Sequence, residues 1–499
     1  MRERLSMLLL LGLSLPFLDK PIHVDDANFL AMARQASIDP WRPHAFLINW
    51  QGTTESAFHV LSNPPGIAWW LAPVAQQSVM WMHVWMLPWL LLACWGAARL
   101  GERFGGHPAA AVLLLCGAPI SVISTQALTP DLPLLALTLA GVGGLLHSPP
   151  TGRMLFALLL GSTALFRYSG LALLPLILLL PCRERERTRL LMAGLMPITA
   201  LMIHNWLAYG EIHLVAMMGF QSVSNSGIDI AHKSVAAMAA LGGAAVLPIL
   251  CWSKARQSLI GALVGGLLGW VAANWTGQMG GAVWGTTLFS AAGGATLAGA
   301  MRHREPVDGL LLCWLVGGAL FLLSLRFTAS RYWIPFFAPA VLLVLRDAKP
   351  SSIRIGCIAT LALSTLLAID DAELAHAQRT AATIAQTKDP GFFAGHWGFQ
   401  HHLESHGWVA IEDDQDLPKN QWVAHSRTAW PQQASNACWA SETTVPIPDK
   451  TPGPRVLTYD GRANLHGNML AEEPPIRTFS PWGIGRDPLD WLTMRQTCP

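Results

Sequence analysis

Of the 499 residues, 52% are hydrophobic and only 13% are charged, with a formal net charge of +2. Soluble domains carry about 25% charged residues, so a chain this poor in charge is excluded from the wholly soluble class. That net charge says nothing about nucleic acid, but no basic tract or binding motif supports it, and none is expected as a partner.

Apolar runs recur from Leu5 to Asp370, whereas residues 371–499 have ordinary polarity. The expectation is a polytopic α-helical membrane body over residues 1–370 and an extracytoplasmic α/β domain over residues 371–499. In chain order the predicted spans are 5–18, 79–98, 108–128, 132–146, 154–166, 169–181, 190–207, 234–252, 259–275, 284–300, 307–325, 333–345 and 355–369. Several fall short of the ~20 residues that a perpendicular helix needs. The first is read as an uncleaved span, because Gly12 and Ser14 make a poor cleavage pair for a signal peptide. The apolar, Pro-rich segment 63–77 is read as an interfacial or re-entrant helix.

Orientation follows from Lys and Arg. Alternate connections carry Arg2, Arg4, Arg99, Arg103, Arg153, Arg183, Arg185, Arg187, Arg189, Lys254, Arg256, Arg302, Arg304, Arg346, Lys349 and Arg354. The short connections opposite hold Arg167, Lys233, Arg326 and Arg331. The first set is therefore predicted to be cytoplasmic, with the N-terminus, in a plasma (inner) membrane. Six cysteines, among them Cys251, fall in or beside spans. Cys438 and Cys498 share the oxidising side and are candidates for a disulfide.

The outer face gathers the chemistry. The long first outer loop, 19–62, opens with Asp25 and Asp26 at the head of an amphipathic helix predicted over 25–38. Acids there also favour the helix dipole, which is the bland explanation for them. Asp131 stands at the outer boundary of the third span, where a helix-start role is the competing reading. Arg167-Tyr168 and Arg331-Tyr332 sit in outer turns. Arginine anchors commonly snorkel, and Arg326 fits that; Arg167 and Arg331, each beside a tyrosine, point to a bound phosphate. Asn63 precedes Pro64 and is either a turn residue or a sugar or phosphate contact. His23, His44 and His59 are spaced like solvated residues rather than ligands. His396, His401, His402 and His406 cluster in the tail with His402 and His406 at i, i+4; without an HExxH metal binding is disfavoured, and acceptor recognition or a lid role is the reading.

Acids and arginines at one membrane boundary suit a reaction in which a carboxylate deprotonates a hydroxyl and arginines neutralise a departing phosphate. No P-loop or Rossmann fingerprint points to a nucleotide.

The segments HVDDANFLAMARQA, SNPPGIAWWLAP, QALTPDLPLLAL, LFRYSGLALLP and SRYWIPFFAPAVLLV resemble the GT-C glycosyltransferases, most closely family 39, the protein O-mannosyltransferase and aminoarabinose transferase group. The tail segment GHWGFQHHLESHGW is similar to a stretch in bacterial members. The resemblance implies a GT-C-like body of about 13 transmembrane helices. It implies Asp25 as catalytic base or acceptor-binding acid, Asp131 as a second active-site acid, and Arg167 facing lipid phosphate. Asp26 takes the family's Glu position and Phe29 its aromatic. One departure stands out: where aminoarabinose transferases carry Glu-Lys-Pro, this chain has Ser62-Asn63-Pro64. Their lysine is missing, and with it that route to phosphate.

The expected activity is transfer of a sugar from a polyprenyl-phosphate donor to an extracytoplasmic lipid, glycan or protein hydroxyl, with inversion. Candidate catalytic residues are Asp25, Asp26 and Asp131; candidate donor contacts are Arg167, Tyr168, Arg331, Tyr332 and Asn63. No metal ligands are assigned, and a divalent cation is left open. A transporter or flippase, or a non-catalytic component of surface-polysaccharide assembly, are the competing classes. A transporter places ionisable residues in mid-span, often within internal repeats.

Overall fold

The structure, a computed structural model, describes residues 2–50, 52–221, 227–245, 255–301, 308–325, 328–413, 415–429, 437–472 and 475–499. Cys251, Lys254, Arg302, Arg304 and Arg326 lie outside the described residues. Among the described residues, four helices are long and apolar enough to cross a membrane: Val79–Phe104, Glu184–Tyr209, Arg256–Trp275 and Pro350–Ala385. A bent pair, Pro108–Leu115 and Pro119–Thr125, makes a fifth if it counts as one span. The chain is a multi-pass membrane protein.

Several expected spans take other forms, for local reasons. Residues 108–128 break by 70° around Gly117 and Pro119. The carbonyls freed by the break find side-chain donors: Ser364 Oγ donates to Gly117 O at 2.7 Å and Ser121 Oγ to Leu115 O at 2.6 Å. Such replacement partners are what an apolar surrounding demands of interrupted helices. Residues 169–181 become a 3-10 helix, Tyr168–Leu179. At about 2.0 Å per residue its twelve residues reach farther than an α-helix of equal length. Residues 333–345 divide into a turn, Ser330–Trp333, and the helix Ala338–Asp347.

The helix Asp131–His147 is the hub, buried at every residue from Asp131 to Leu145. Val79–Phe104 lies against it at Gly96, where a Cβ would stand 2.4 Å from Ala140 N; only glycine allows that approach. Toward the lipid, Ala255–Trp275 and Gly281–Ala300 pair through small residues, while Leu259, Leu263 and Leu267 stay exposed as a lipid-facing stripe.

In the first long loop the helix Asp26–Ile38 buries Phe29, Leu30, Met32, Ala33 and Ala36, the apolar side read from the sequence. A short hairpin, Leu47–Asn49 with Thr54–Ser56, follows. The segment 63–77 forms the short helix Gly66–Leu71 and a turn, Ala72–Val74.

The helix Pro350–Ala385 runs through residue 370 without a break, so the compositional change there marks new surroundings and not a chain interruption. Beyond it stands a five-stranded sheet in the order Val409–Ala410, Phe392–Ala394, Trp422–Ser426, Asp490–Thr497, Trp439–Ile447. The first three strands are parallel and the last two pairings antiparallel. Cys438 and Cys498 form a disulfide that ties the last strand to the edge. This unit grips the body at several places, two buried ones among them. Buried Arg455 is paired with Asp370 on the long helix and donates to Asp487 O at 2.6 Å. Asn49 of the first loop donates to Ile411 O at 2.9 Å.

Candidate active site

The helix Asp26–Ile38 begins immediately after Asp25, which occupies its N-cap position without capping any backbone N–H through its side chain. That carboxylate is committed elsewhere: Arg331 Nη2 donates to Asp25 Oδ2 at 2.5 Å. Asp131, in the first turn of the hub helix, meets Arg167. Arg167 Nη2 donates to Asp131 Oδ2 at 3.4 Å, and Nε stands 3.0 Å from Oδ1 as an ion-pair contact. Thr129 Oγ1 adds a hydrogen bond to Asp131 Oδ2 at 3.2 Å. The Tyr332 ring is near both guanidinium groups, with Arg167 Cζ 5.2 Å and Arg331 Cζ 6.0 Å from its centroid. Residues from the first loop, the hub helix and two outer turns thus form one layer of two acid–arginine pairs bridged by a tyrosine.

Asp26 has a different task. Its Oδ1 accepts from Leu128 N at 2.8 Å and its Oδ2 from His23 N at 3.3 Å, so it fastens the first loop to the turn before the hub helix. The neighbouring acids are driven apart. Burial pushes Asp26 up to about 7, only partly offset by Lys20 and the two backbone donors. Burial acts on Asp25 too, but the charge and hydrogen bond of Arg331, with help from Arg167, hold it below the usual carboxylate range. Adjacent carboxylates with divided protonation preferences are a recurrent feature of acid–base sites.

Tyr168 and Asn63 fall in a neighbouring cluster instead. Tyr168 Oη lies 2.7 Å from His213 Nδ1, and His213 stacks on His44 with centroids 4.8 Å apart. Asn63 contributes its carbonyl, 3.2 Å from His44 Nε2. His23 and His44, expected to be solvated, are buried, because the C-terminal unit closes over one and the Tyr209–His213 turn over the other. His59 is exposed and pairs with Glu211 at 2.9 Å. His406 is exposed and its Nδ1 sits 3.0 Å from His402 O.

A narrow cavity adjoins the acid–arginine layer and is lined by Asp26, Thr129, Asp131 and Arg331. Lys20, His23, Asp371 and His466 line it too, none singled out from the sequence as part of a site. A signal was present: Asp370-Asp371 repeats, at the end of the last span, the double acid of Asp25-Asp26.

No protein-family model matches the chain, and no curated protein matches it. Among solved structures it is similar to the crystal structure of ArnT from Cupriavidus metallidurans bound to undecaprenyl phosphate, at 13% identity over 85% of this chain and 92% of that one, with a TM-score of 0.48. The same enzyme in the apo state gives 14% identity over 84% and 92%, with a TM-score of 0.46. The cryo-EM structure of the arabinofuranosyltransferase AftD from mycobacteria gives 15% identity over 100% of this chain and 40% of that one, with a TM-score of 0.42. Likenesses at this level assign neither a family nor an activity.

Proposed function

We propose that the chain is an integral-membrane glycosyltransferase that moves a sugar from a polyprenyl-phosphate donor to an extracytoplasmic hydroxyl. The observation that carries the reading is the layer in which Asp25–Arg331 and Asp131–Arg167 share Tyr332. Two arginines neutralised by two carboxylates form a site prepared for an anion. A lipid phosphate entering between them takes over the guanidinium contacts and releases the acids for chemistry. The distribution of Lys and Arg supports an extracytoplasmic position for this layer and for residues 371–499, in a plasma membrane.

In the proposed step, Asp25 freed from Arg331 accepts the acceptor's hydroxyl proton. The resulting oxygen attacks the anomeric carbon from the side opposite the phosphate. The bond from the anomeric carbon to the phosphate oxygen breaks, and its electron pair leaves with the polyprenyl phosphate, whose charge Arg331 and Arg167 hold. The anomeric centre inverts. Release from Arg331 also raises the proton affinity of Asp25, which makes it a better base when donor is present than when it is absent. Asp131 orients Arg167 and faces the same space. Asp26 keeps the loop in register.

The test is transfer from defined polyprenyl-phosphate sugars by the full chain in reconstituted membranes. Asp25→Asn is expected to lower the rate by roughly 10²–10⁴-fold, the range of a lost general base. Asp131→Asn is expected to reduce transfer as well. A wild-type rate in Asp25→Asn would sink the mechanism.

A further inference from the structure

The cavity lining holds a group that the proposed transfer does not use. His23 Nε2, Asp371 Oδ1 and His466 Nε2 converge from the first long loop, the long helix and the C-terminal unit, and the three atoms lie within 4.8 Å of one another. His466 Nε2 is 2.7 Å and His23 Nε2 3.6 Å from the same carboxylate oxygen. Zinc–nitrogen bonds of 2.0–2.1 Å in a tetrahedron put neighbouring ligand atoms about 3.3 Å apart, between these two values.

The hydrogen bonds around the group point the same way. Gln378 Oε1 lies 3.2 Å from His23 Nδ1. With that carbonyl oxygen accepting, Nδ1 carries the hydrogen and Nε2 presents a lone pair. His23 is 2% exposed, and among the described residues its Nε2 makes no hydrogen bond, standing 3.6 Å from Asp371 Oδ1. A buried lone pair aimed at a carboxylate oxygen is unfavourable unless something electropositive stands between them. Lys20 does not fill that place, since it grips the other oxygen, Asp371 Oδ2. Instead it fixes the carboxylate so that Oδ1 faces the histidines. An imidazole held through its second nitrogen and a carboxylate held through its second oxygen are the usual outer partners of metal ligands.

We propose that His23, Asp371 and His466 form a binding site for one divalent transition-metal cation of the zinc class. Two imidazoles and a carboxylate suit that class over the hard, all-oxygen cations. The three ligand residues line the same cavity as Asp131 and Arg331, so a fourth ligand can reach the ion from it. Three protein ligands with one open position are the pattern of a site that meets substrate or water. The site draws on three distant chain segments, so loading it also locks the C-terminal unit onto the first loop. It stands independently of the transfer reaction.

The experiment loads chelator-stripped, full-length protein in detergent with Zn2+, removes free metal, and counts bound zinc by mass spectrometry. Wild type is expected to retain one equivalent per chain. His23→Gln and His466→Gln are expected to lose it, while His406→Gln keeps it. Gln378→Met is expected to weaken affinity by about 10–100-fold, the effect of a lost outer partner. Co2+ loading of wild type gives an answer that needs no variant: intense visible bands of four-coordinate cobalt support the site, and a weak octahedral spectrum overturns it. Absence of stoichiometric zinc in wild type, or full retention by His23→Gln and His466→Gln, also overturns it and leaves the group a plain ion cluster.

Discussion

Asp25 and Asp26 are neighbours in sequence with opposite surroundings, and the contrast explains most of the site. Asp26 accepts two backbone N–H groups, whereas Asp25 faces a guanidinium and nothing of the backbone. Removing one member of the Asp25–Arg331 pair leaves the other charge largely buried and unmatched. Arg331→Met alone is therefore expected to destabilise the protein by on the order of 3 kcal/mol, and the double variant Asp25→Leu with Arg331→Met by much less. Denaturant or thermal melting of the purified protein reads this cycle, and additive losses would argue against a coupled pair. Asp25, Asp131, Arg167, Arg331 and Tyr332 were legible because each is an ionisable or aromatic group at a span boundary, where its presence is costly. Lys20, Asp371 and His466 were not, because their meaning lies in pairing across the chain: Lys20 and Asp371 are 351 residues apart.

The buried histidines of the outer layer carry a pH dependence of their own. Burial lowers His44 to about 3, with the nearby His213 adding to the shift, and lowers His213 to about 4, against 6.5 when unfolded. Between those values the unfolded chain binds more protons than the folded one, so stability is full above about pH 6.5 and falls as pH drops toward 4. Each histidine contributes about 1.4 kcal/mol per pH unit within that window. Thermal melting between about pH 7 and pH 5 is expected to show the loss, with a shallower slope in the His44→Asn, His213→Asn double variant. An unchanged slope would assign the acid sensitivity to other groups.

At the level of elements, hydrophobicity revealed where apolar chain lies but not how it bends. Residues 108–128 read as one span, yet Gly117 and Pro119 turn them by 70°. What makes the bend tolerable is Ser364, on a helix that no local pattern connects to it. Ser364→Ala leaves Gly117 O without that donor in apolar surroundings and is expected to cost about 1–3 kcal/mol. Melting of the variant at wild-type temperature would show that another group satisfies the carbonyl. The helix 25–38 was read almost to the residue, because its apolar side repeats at helical spacing and packs as that spacing requires. The 3-10 helix Tyr168–Leu179 was not, since an unbroken apolar run with Pro175 carries no period to distinguish the two helices.

At the scale of the whole molecule, the membrane body and the C-terminal unit share one cavity. The body supplies the acid–arginine layer; the long helix and the C-terminal unit supply Asp371 and His466 to the same lining. The measurement that most directly tests the central claim is binding of polyprenyl phosphate by the purified chain, set beside its transfer rate. The proposed reaction makes Asp25 and a lipid phosphate competitors for Arg331. Asp25→Asn is therefore expected to bind polyprenyl phosphate more tightly than wild type while transferring sugar at least roughly 10²-fold more slowly. Arg331→Gln is expected to bind it more weakly. An Asp25→Asn variant that transfers at the wild-type rate, or that loses lipid-phosphate affinity as Arg331→Gln does, would contradict the account.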